Sequence, residues 1–394
     1  MKILYLHQYF QTPLDAGGTR SYVIAKHLIS LGHEVKMVYL NTDRAGNDFK
    51  DDYEGIKLIK LNYNYSNKQS FFKRVLVFIK FSLKTCSIVL KEDYDIIYAT
   101  STPLTIGVPA LVAKLIRKKK YIFEVRDLWP ELPRAMGIIN NKLIYYILKM
   151  LEISCYKYAD VCVGLSPGII EGITKYVPNK KTVLISNYSN TDFFNPKTNF
   201  NDNKKIKLIY AGAFGLANGI DNILNEAKKL VDLGYDKDSF QFDFYGTGIK
   251  QQDLINRVKN ENLTNCKFYD SVAKFKLKKI FHNYDMGIMS LENIKEFHYG
   301  TSPNKFFDYI SSGLPVICNY DGWIKDLIEK YNIGLATDPN IKDDFSKKLI
   351  FLLNNKKLLK THSINSRDLA EKQFSDKVQL KKITNIIELF KINC

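Results

Sequence analysis

Acidic side chains are in short supply in this 394-residue chain: 41 Asp and Glu stand against 58 Lys and Arg, leaving a formal charge of +17. Such an excess points to an anionic partner, whether nucleic acid, an anionic membrane or an acidic substrate. Other absences exclude more. No apolar run reaches the roughly 18 residues of a spanning helix; Val75 to Leu90 is broken by Lys80 and Lys84, and Leu104 to Ala113 by Pro109. An integral membrane protein is therefore not expected. No small-residue cleavage site follows Met1 to Leu6, which reads as an opening strand rather than a signal peptide, and a cytoplasmic address is expected. The cysteines (Cys86, Cys155, Cys162, Cys266, Cys318, Cys394) form no C-x-x-C pair, which argues against structural zinc and a disulfide framework and for reduced, mostly buried thiols. No short-period repeat or low-complexity tract is present.

What remains is globular: 45% hydrophobic and 25% charged residues fit neither a disordered chain nor a disulfide miniature. The length exceeds the roughly 250–300 residues at which single cores stop growing, so two domains are expected. Short apolar runs alternate with longer amphipathic stretches: strands at Lys2 to Leu6, Glu34 to Leu40, Ile56 to Leu61, Asp95 to Ala99 and Tyr121 to Val125, with helices at Thr19 to Leu31, Phe71 to Leu90, Ile106 to Arg117 and Lys142 to Tyr158. This is the β-α-β rhythm of a doubly wound parallel sheet. It restarts at Lys207 after a polar stretch. The expected fold class is α/β, with a first Rossmann-like domain over 1–190, a linker over 191–205, a second such domain over 206–375, and a closing helix over 376–394 able to pack back on the first. Two α/β domains in tandem are a cleft-forming arrangement.

Residues 1–190 hold 27 basic and 16 acidic side chains, so +11 of the net charge falls there. The stretch Phe71 to Lys84 mixes bulky apolar residues with Lys73, Arg74, Lys80 and Lys84 at helical spacing. Such a composition suits an interfacial helix on an anionic membrane or, equally, a core helix with a solvated lysine face. Lysine-rich chains with abundant Ile and Asn also arise from AT-rich coding, which weakens net charge as an argument.

Several loops join a strand's carboxyl end to a helix start, where glycines let backbone N–H groups approach an anion. Gln11 to Arg20 supplies Gly17, Gly18 and Arg20, as a diphosphate cradle or a structural turn; it is not G-x-G-x-x-G, so a dinucleotide reading is weak. In the second half, Gly212, Phe214 and Gly215, then Tyr245 and Gly246, repeat the pattern. The richest stretch runs from His298 through Gly300, Thr301, Ser302, Pro303, Asn304 and Lys305 to Asp308 and Gly313-Leu314-Pro315-Val316. Ser302 or Thr301 can cap a helix with Pro303 in its first turn, leaving free N–H groups for a phosphate. Asp308, one turn beyond Lys305, can take hydrogen bonds from the vicinal hydroxyls of a ribose.

Here the chain resembles the GT-B-type retaining glycosyltransferases of family 4, in which an acidic residue shortly before a Gly-x-Pro-Val element binds the ribose of a nucleotide sugar. Pro303-Asn304-Lys305-Phe306-Phe307-Asp308-Tyr309 looks like a subgroup that builds bacterial surface polysaccharides, and Glu124-Val125-Arg126-Asp127-Leu128-Trp129-Pro130 is similar to a signature of N-acetylfucosamine transferases within it. Asn187 to Pro196 looks like the family's interdomain segment, and Asp285 to Leu291 like its strand leading into the donor site. The resemblance implies a GT-B enzyme moving an N-acetylated deoxyhexosamine, with retention, from a UDP-linked donor to a lipid-linked glycan in O-antigen or capsule synthesis, peripheral at the inner membrane face. It implies catalytic roles for Arg126, Asp127 and Lys305, and donor binding by Gly17, Gly18, Arg20, Gly212, Phe214, Gly215, Tyr245, Gly246, Gly300, Thr301, Ser302, Asn304, Lys305 and Asp308. His7 and His298 are further candidates for substrate contact.

Two departures from the family matter. The position of its first glutamate is Gly300 here, and its Arg and Lys after the first strand of the second domain are replaced by Phe214 to Gly219, leaving Lys305 and Arg20 as candidates to meet the donor phosphates. The D-x-D sequences Asp93-Tyr94-Asp95 and Asp236-Lys237-Asp238 precede their strands and read as turns, so no metal or other cofactor is expected. The rival readings are a nucleotide-sugar epimerase of the same fold and, more remotely, a basic nucleic-acid-binding module, for which no motif stands.

Overall fold

A computed structural model describes residues 1–13, 18–41, 51–65, 69–197 and 205–391. Gly17, expected at the donor, lies outside the described residues. The chain divides into two compact units, the first comprising Met1–Ser186, Gly300–Ser302 and Leu380–Cys394, the second Asn187–Tyr299 and Pro303–Gln379.

Among the described residues, the first unit is built on eight strands: β1 (Lys2–Leu6), β2 (Glu34–Asn41), β3 (Asp52–Tyr53), β4 (Ile56–Asn62), β5 (Ile96–Thr100), β6 (Lys120–Val125), β7 (Val161–Gly164) and β8 (Thr182–Leu184), in the order β3-β4-β2-β1-β5-β6-β7-β8. All pairings are parallel except the edge pair β3–β4. The period of two sorts the side chains. Leu4, Leu6, Ile97 and Ala99 enter one core with Val77 and Phe81 of the helix Phe71–Lys91, Ala110 of Gly107–Arg117, and Tyr156 of Lys142–Tyr158. Ile3, Tyr5, Ile96 and Tyr98 enter the other with Ile24 and Leu28 of the helix Arg20–Ser30 and with Ile383, Ile387 and Phe390 of the closing helix Asp376–Lys391. Covering on both faces is what an all-parallel sheet requires.

The second unit repeats the plan with β9 (Ile206–Ala211), β10 (Phe240–Tyr245), β11 (Cys266–Tyr269), β12 (Met286–Met289), β13 (Val316–Cys318) and β14 (Gly334–Ala336), all parallel, in the order β11-β10-β9-β12-β13-β14. Its two faces are filled by separate apolar clusters. In each sheet the chain reverses its direction of winding beside the first strand of the unit, at β1/β5 and at β9/β12. Open α/β sheets take ligands beyond the carboxyl ends of their strands at such switch points.

The strands and helices delimited from the sequence lie within a residue or two of those observed, whereas the short helices Glu131–Ala135 and Lys295–Gly300 and the helices Trp323–Tyr331, Asp344–Asn354 and Lys357–Leu369 are not delimited by it. The sequence reading passes over the helix Pro167–Tyr176, the edge strand β3 and the short β14. One detail is corrected: neither Thr301 nor Ser302 caps the helix Asn304–Ser311, whose cap residue is Pro303, with no side-chain cap. Proline at that position holds an extended ψ of 124° and offers no hydroxyl, so the first N–H groups meet no capping side chain.

Candidate functional site

In the second unit, the candidate site forms where β9 and β10 end. Gly212 N–H donates to Tyr245 O at 2.9 Å and Phe214 N–H to Thr247 O at 3.0 Å, zipping the two loops together. This contact explains two glycines: a Cβ on Gly246 would lie 1.8 Å from Gly212 O, and one on Gly248 would lie 2.3 Å from Phe214 O. Phe214, expected at the donor, is fully buried against Tyr210 and Phe268 and belongs to the core. Gly215 N–H is taken by Asn218 Oδ1 at 3.2 Å. Gly212, Gly215 and Gly246 are expected at a phosphate from the sequence; the structure gives Gly246 and Gly215 intramolecular reasons first. Gly246→Ala should therefore destabilise the protein by about 1–3 kcal/mol through overpacking. Gly300, where a Cβ meets nothing within 4 Å, should accept alanine with no change in thermal midpoint, so any loss of activity in Gly300→Ala reports on substrate.

Gly212 has a different neighbour. A Cβ there would sit 3.0 Å from both Cε and Nζ of Lys305, so the missing side chain leaves room for that amine. Lys305 Nζ lies over the Tyr210 ring, 3.8 Å from its centroid, and Tyr210 OH is anchored on Ala213 O at 2.9 Å. Among the described residues Lys305 has no carboxylate partner, and burial lowers its pKa to about 7. An ammonium held on an aromatic face without a counter-ion is a prepared anion site.

Asp308 lies on the same helix and is buried. Its Oδ1 accepts from Ser189 Oγ at 2.7 Å and pairs with Lys274 Nζ at 2.8 Å, while Oδ2 has no partner among the described residues. Neither Ser189 nor Lys274 was expected; the signal for Lys274 was a cation opening the helix Lys274–Phe281 just after β11. The next residue, Tyr309, pins the end of β9, accepting from Ala211 N–H at 2.9 Å and donating to Ile209 O at 3.2 Å. At the ends of β10 and β11, Tyr245 stacks on Tyr269 with centroids 4.5 Å apart and planes at 12°. His298 Nε2 is buried without a hydrogen-bond partner, and burial lowers its pKa. Thr301 and Ser302 both have partners within the chain, and Asn304 is exposed.

In the first unit, the carboxyl ends of β1, β5 and β6 gather His7, Thr102, Arg126 and Asp127. His7 is buried; burial and then the Arg126 charge push its pKa well below the ordinary value, so it is neutral near pH 7. Its Nδ1 lies 2.8 Å from Ser21 Oγ and its Nε2 faces Arg126 Nη1 at 3.5 Å. Asp127 Oδ2 accepts from Thr102 Oγ1 at 3.0 Å. Burial raises the Asp127 pKa, against the opposing pull of Arg126 and Thr102. Arg126 forms no ion pair among the described residues, although its charge is felt by the Glu124 and Asp127 carboxylates.

Arg20, expected at the donor phosphate, is engaged elsewhere. Its Nε and Nη2 meet the Glu124 carboxylate at 3.1 and 2.9 Å, and Nη1 and Nη2 reach Ser186 O and Ile185 O at 2.6 and 2.9 Å. Glu124 is fully buried, which alone would raise its pKa; Arg20, Arg126 and the Tyr98 hydroxyl at 2.8 Å outweigh that and hold it ionised. Truncating one partner of such a pair typically costs about 3–5 kcal/mol, so Arg20 is a structural residue. A second buried network holds the loop after Asp127: Trp129 N–H and Tyr156 OH donate to Glu152 Oε1 at 3.1 and 2.5 Å, and Lys149, over the Tyr176 ring, donates to Oε2 at 2.5 Å. Burial lifts the Glu152 pKa to about 7 despite Lys149.

Of the basic residues on the helix Phe71–Lys91, Lys73, Lys80 and Lys84 are exposed, while Arg74 is half-buried with its Nε inside. Among the described residues no helix is long and apolar enough to cross a membrane.

Fold and site define a class: paired parallel α/β units, with an anion-ready lysine and a buried carboxylate on one helix at a switch point. Residues 17–193 match the model of Glycosyltransferase Family 4, and residues 191–369 that of glycosyl transferases group 1. The two models together span residues 17–369, so the chain is similar to glycosyltransferases of family 4, and its two parallel-sheet units have the GT-B fold. An uncharacterized glycosyltransferase of Methanocaldococcus jannaschii is 25% identical over 218 residues, covering 51% of this chain and 54% of the relative; the chain thus spans about half the length of the curated relative it matches. Sucrose-phosphate synthase from Thermosynechococcus elongatus superimposes with a TM-score of 0.79 at 16% identity, covering 100% of both chains. Anabaena HepE in complex with UDP does so with a TM-score of 0.70 at 12% identity, over 98% of this chain and 100% of that one. At these identities the two structures speak for the fold alone.

Proposed function

We propose that this protein transfers a sugar, an N-acetylated deoxyhexosamine such as N-acetylfucosamine, from a UDP-linked donor to a lipid-linked glycan, with retention, in the synthesis of a bacterial surface polysaccharide. The observation that carries the reading is the Lys305 ammonium, without a carboxylate partner, on the Tyr210 face one helical turn from the Asp308 carboxylate. The spacing suits a nucleoside diphosphate: phosphate oxygens on Lys305 and the first N–H groups of its helix, ribose hydroxyls on Asp308 Oδ2. The Tyr245–Tyr269 stack offers the base an aromatic face. That a neighbour of the same fold was solved with UDP supports UDP as the nucleotide.

In transfer, the bond from the anomeric carbon to the diphosphate oxygen breaks while the acceptor oxygen attacks from the same face. The departing phosphate takes the acceptor's proton, so no protein nucleophile is required. Negative charge grows on the leaving group, and Lys305 with the helix amides meets it; one such donor is worth about 10²–10³ in rate. Arg126 and Asp127 orient the sugar or the acceptor hydroxyl, His298 stays a candidate for substrate contact beside the donor helix, and the acceptor's lipid brings the enzyme to the membrane through Lys73, Lys80 and Lys84.

The reaction is proposed to need no metal, because three of the four D-x-D carboxylates have other occupations. Asp93 pairs with Lys2 Nζ at 2.5 Å, Asp95 accepts from Lys2 N–H at 2.7 Å, and Asp236 accepts from Asp238 N–H at 2.9 Å. Transfer should survive EDTA to within about twofold, whereas losing a diphosphate-neutralising metal would remove several kcal/mol of transition-state stabilisation. Loss of activity restored by Mg²⁺ or Mn²⁺ would refute this. Thermal-shift titration with a panel of nucleotide sugars, followed by product analysis with and without acceptor, tests the reaction itself. Epimerised sugar or free UDP-sugar product in the absence of acceptor would overturn transfer.

A further inference from the structure

The helices Phe71–Lys91, Gly107–Arg117 and Lys142–Tyr158 pack in that order on one face of the first sheet, and two of them are apolar on the wrong side. Phe71–Lys91 buries Val77, Phe81 and Val89, yet exposes Phe72, Leu76, Ile79 and Leu83, with Phe72 79% accessible. These four recur at i, i+4, i+7 and i+11, a second stripe on the solvent side. Lys142–Tyr158 does the same: Cys155 and Tyr156 point to the core, while Leu143, Tyr146, Ile147 and Met150 stand in solvent, Leu143 at 68% and Met150 at 70%. Scattered exposed leucines are ordinary, but eight large apolar side chains in two stripes mark an interaction surface.

Charge selects the partner. The helices Phe71–Lys91 and Gly107–Arg117 contain no acidic residue, and Lys142–Tyr158 contains only Glu152, which is buried on Lys149. The nearby Glu131 also pairs with Lys149. What surrounds the apolar stripes is therefore cationic: Lys73, Lys80 and Lys84 beside the first, and Lys142 at the head of the second, all exposed. A bilayer of anionic lipid complements this surface, taking the apolar side chains below its headgroups and the ammonium groups at their level.

The position of the stripes on their helices adds direction. Helices in β-α-β units run antiparallel to the strands, so their amino-terminal halves lie toward the carboxyl edge of the sheet. Phe72 to Ile79 and Leu143 to Met150 occupy the amino-terminal halves of their helices, with Leu83 just past the middle of the first, on the side where β5 and β6 deliver Thr102, Arg126 and Asp127.

We infer that the exposed stripes of Phe71–Lys91 and Lys142–Tyr158 form one membrane-insertion face for anionic bilayers, which presents the carboxyl edge of the first sheet to the lipid surface. This surface gives the proposed membrane-borne acceptor its approach. Its test needs no transfer activity, so failure of one reading leaves the other standing or falling by itself.

The test is flotation of the full chain with vesicles of phosphatidylcholine alone or mixed with phosphatidylglycerol. The parent protein should float with the mixed vesicles and not with the neutral ones, and raising salt from about 0.1 M to about 1 M should release much of it as the Debye length falls from about 10 to about 3 Å. Leu143→Gln, Ile147→Gln and Met150→Gln combined should lower vesicle affinity by about a hundredfold or more, since insertion of these apolar side chains drives the binding. Lys73→Gln, Lys80→Gln and Lys84→Gln combined should remove the preference for anionic lipid. Both variants should retain the parent's circular dichroism and UDP binding. A Trp introduced by Ile147→Trp should shift to the blue on vesicles and be quenched by brominated acyl chains. Unaltered flotation of the Leu143/Ile147/Met150 variant would overturn the proposal. So would a dimer in which Ile147→Trp is buried without lipid, since the stripe would then serve a second copy of the chain.

Discussion

Asp308→Ala is expected to bind UDP about 30- to 900-fold more weakly than the parent protein, a loss of about 2–4 kcal/mol for a carboxylate that holds two hydroxyls by charge-assisted hydrogen bonds. Fold and binding can be told apart. In the free protein Asp308 is tied through Oδ1 to Ser189 Oγ and Lys274 Nζ, so a merely structural role would appear as a lowered thermal midpoint with normal affinity. Lys274 is 43% accessible at its side chain, and pairs of that exposure contribute about 0–1 kcal/mol. Lys274→Ala should accordingly keep UDP affinity within about fivefold, since it leaves the Asp308 carboxylate in place. Isothermal titration of the two variants decides the matter: equal affinities for Asp308→Ala and the parent would remove the ribose assignment.

The architecture was legible because parallel sheets write themselves as apolar runs. β5 is buried along its whole length, and the restart at β9 follows a polar stretch with no apolar period. Edge elements such as β3 and β14 lack that signal, being short and half-buried. The candidate site was legible in part. Lys305 and Asp308 are separated by one helical turn, and local periodicity is enough to place both on one helix. What sequence could not reveal was partnership across long separations. Arg20 looked like a loop cation awaiting phosphate, but its partner Glu124 comes from a strand 104 positions away. Gly246 looked like a phosphate-binding glycine, but the atom that demands it is a carbonyl on a neighbouring loop. Phe214 stood among glycines and turned inward because the aromatic cluster of Tyr210, Phe244 and Phe268 had space for it. The exposed stripe on Lys142–Tyr158 escaped notice for a related reason. Apolar residues at helical spacing are usually core, and only accessibility shows that this helix carries more apolar surface than its sheet can cover.

Lys305 is expected to make donor binding depend on pH in one direction. Burial against Tyr210 brings its pKa to about 7 in the free protein, whereas a bound diphosphate favours the ammonium and raises it. Above neutrality the donor must therefore bind a minority form and take up a proton as it does so. Apparent affinity scales with the charged fraction and should fall about 50-fold between pH 7 and pH 9, flattening below pH 7 where the amine is already charged. A nucleotide sugar is the right probe, because its esterified diphosphate carries no group that titrates in this range. Stability in the absence of donor should move oppositely. The unfolded chain holds a proton on this lysine that the native state gives up between pH 7 and about 10.5, so Lys305 contributes a stability term that rises with pH across that window. Lys305→Arg, charged throughout, should bind the donor with a flat profile. Lys305→Met should bind weakly at every pH and lose about 10²–10³ in kcat, the typical cost of one oxyanion donor. Titrations of the three proteins at several pH values, with proton uptake read from buffers of different ionisation enthalpy, check both claims. A profile in Lys305→Met as steep as the parent's would assign the pH dependence to another group, and an undiminished kcat would take Lys305 out of the transition state.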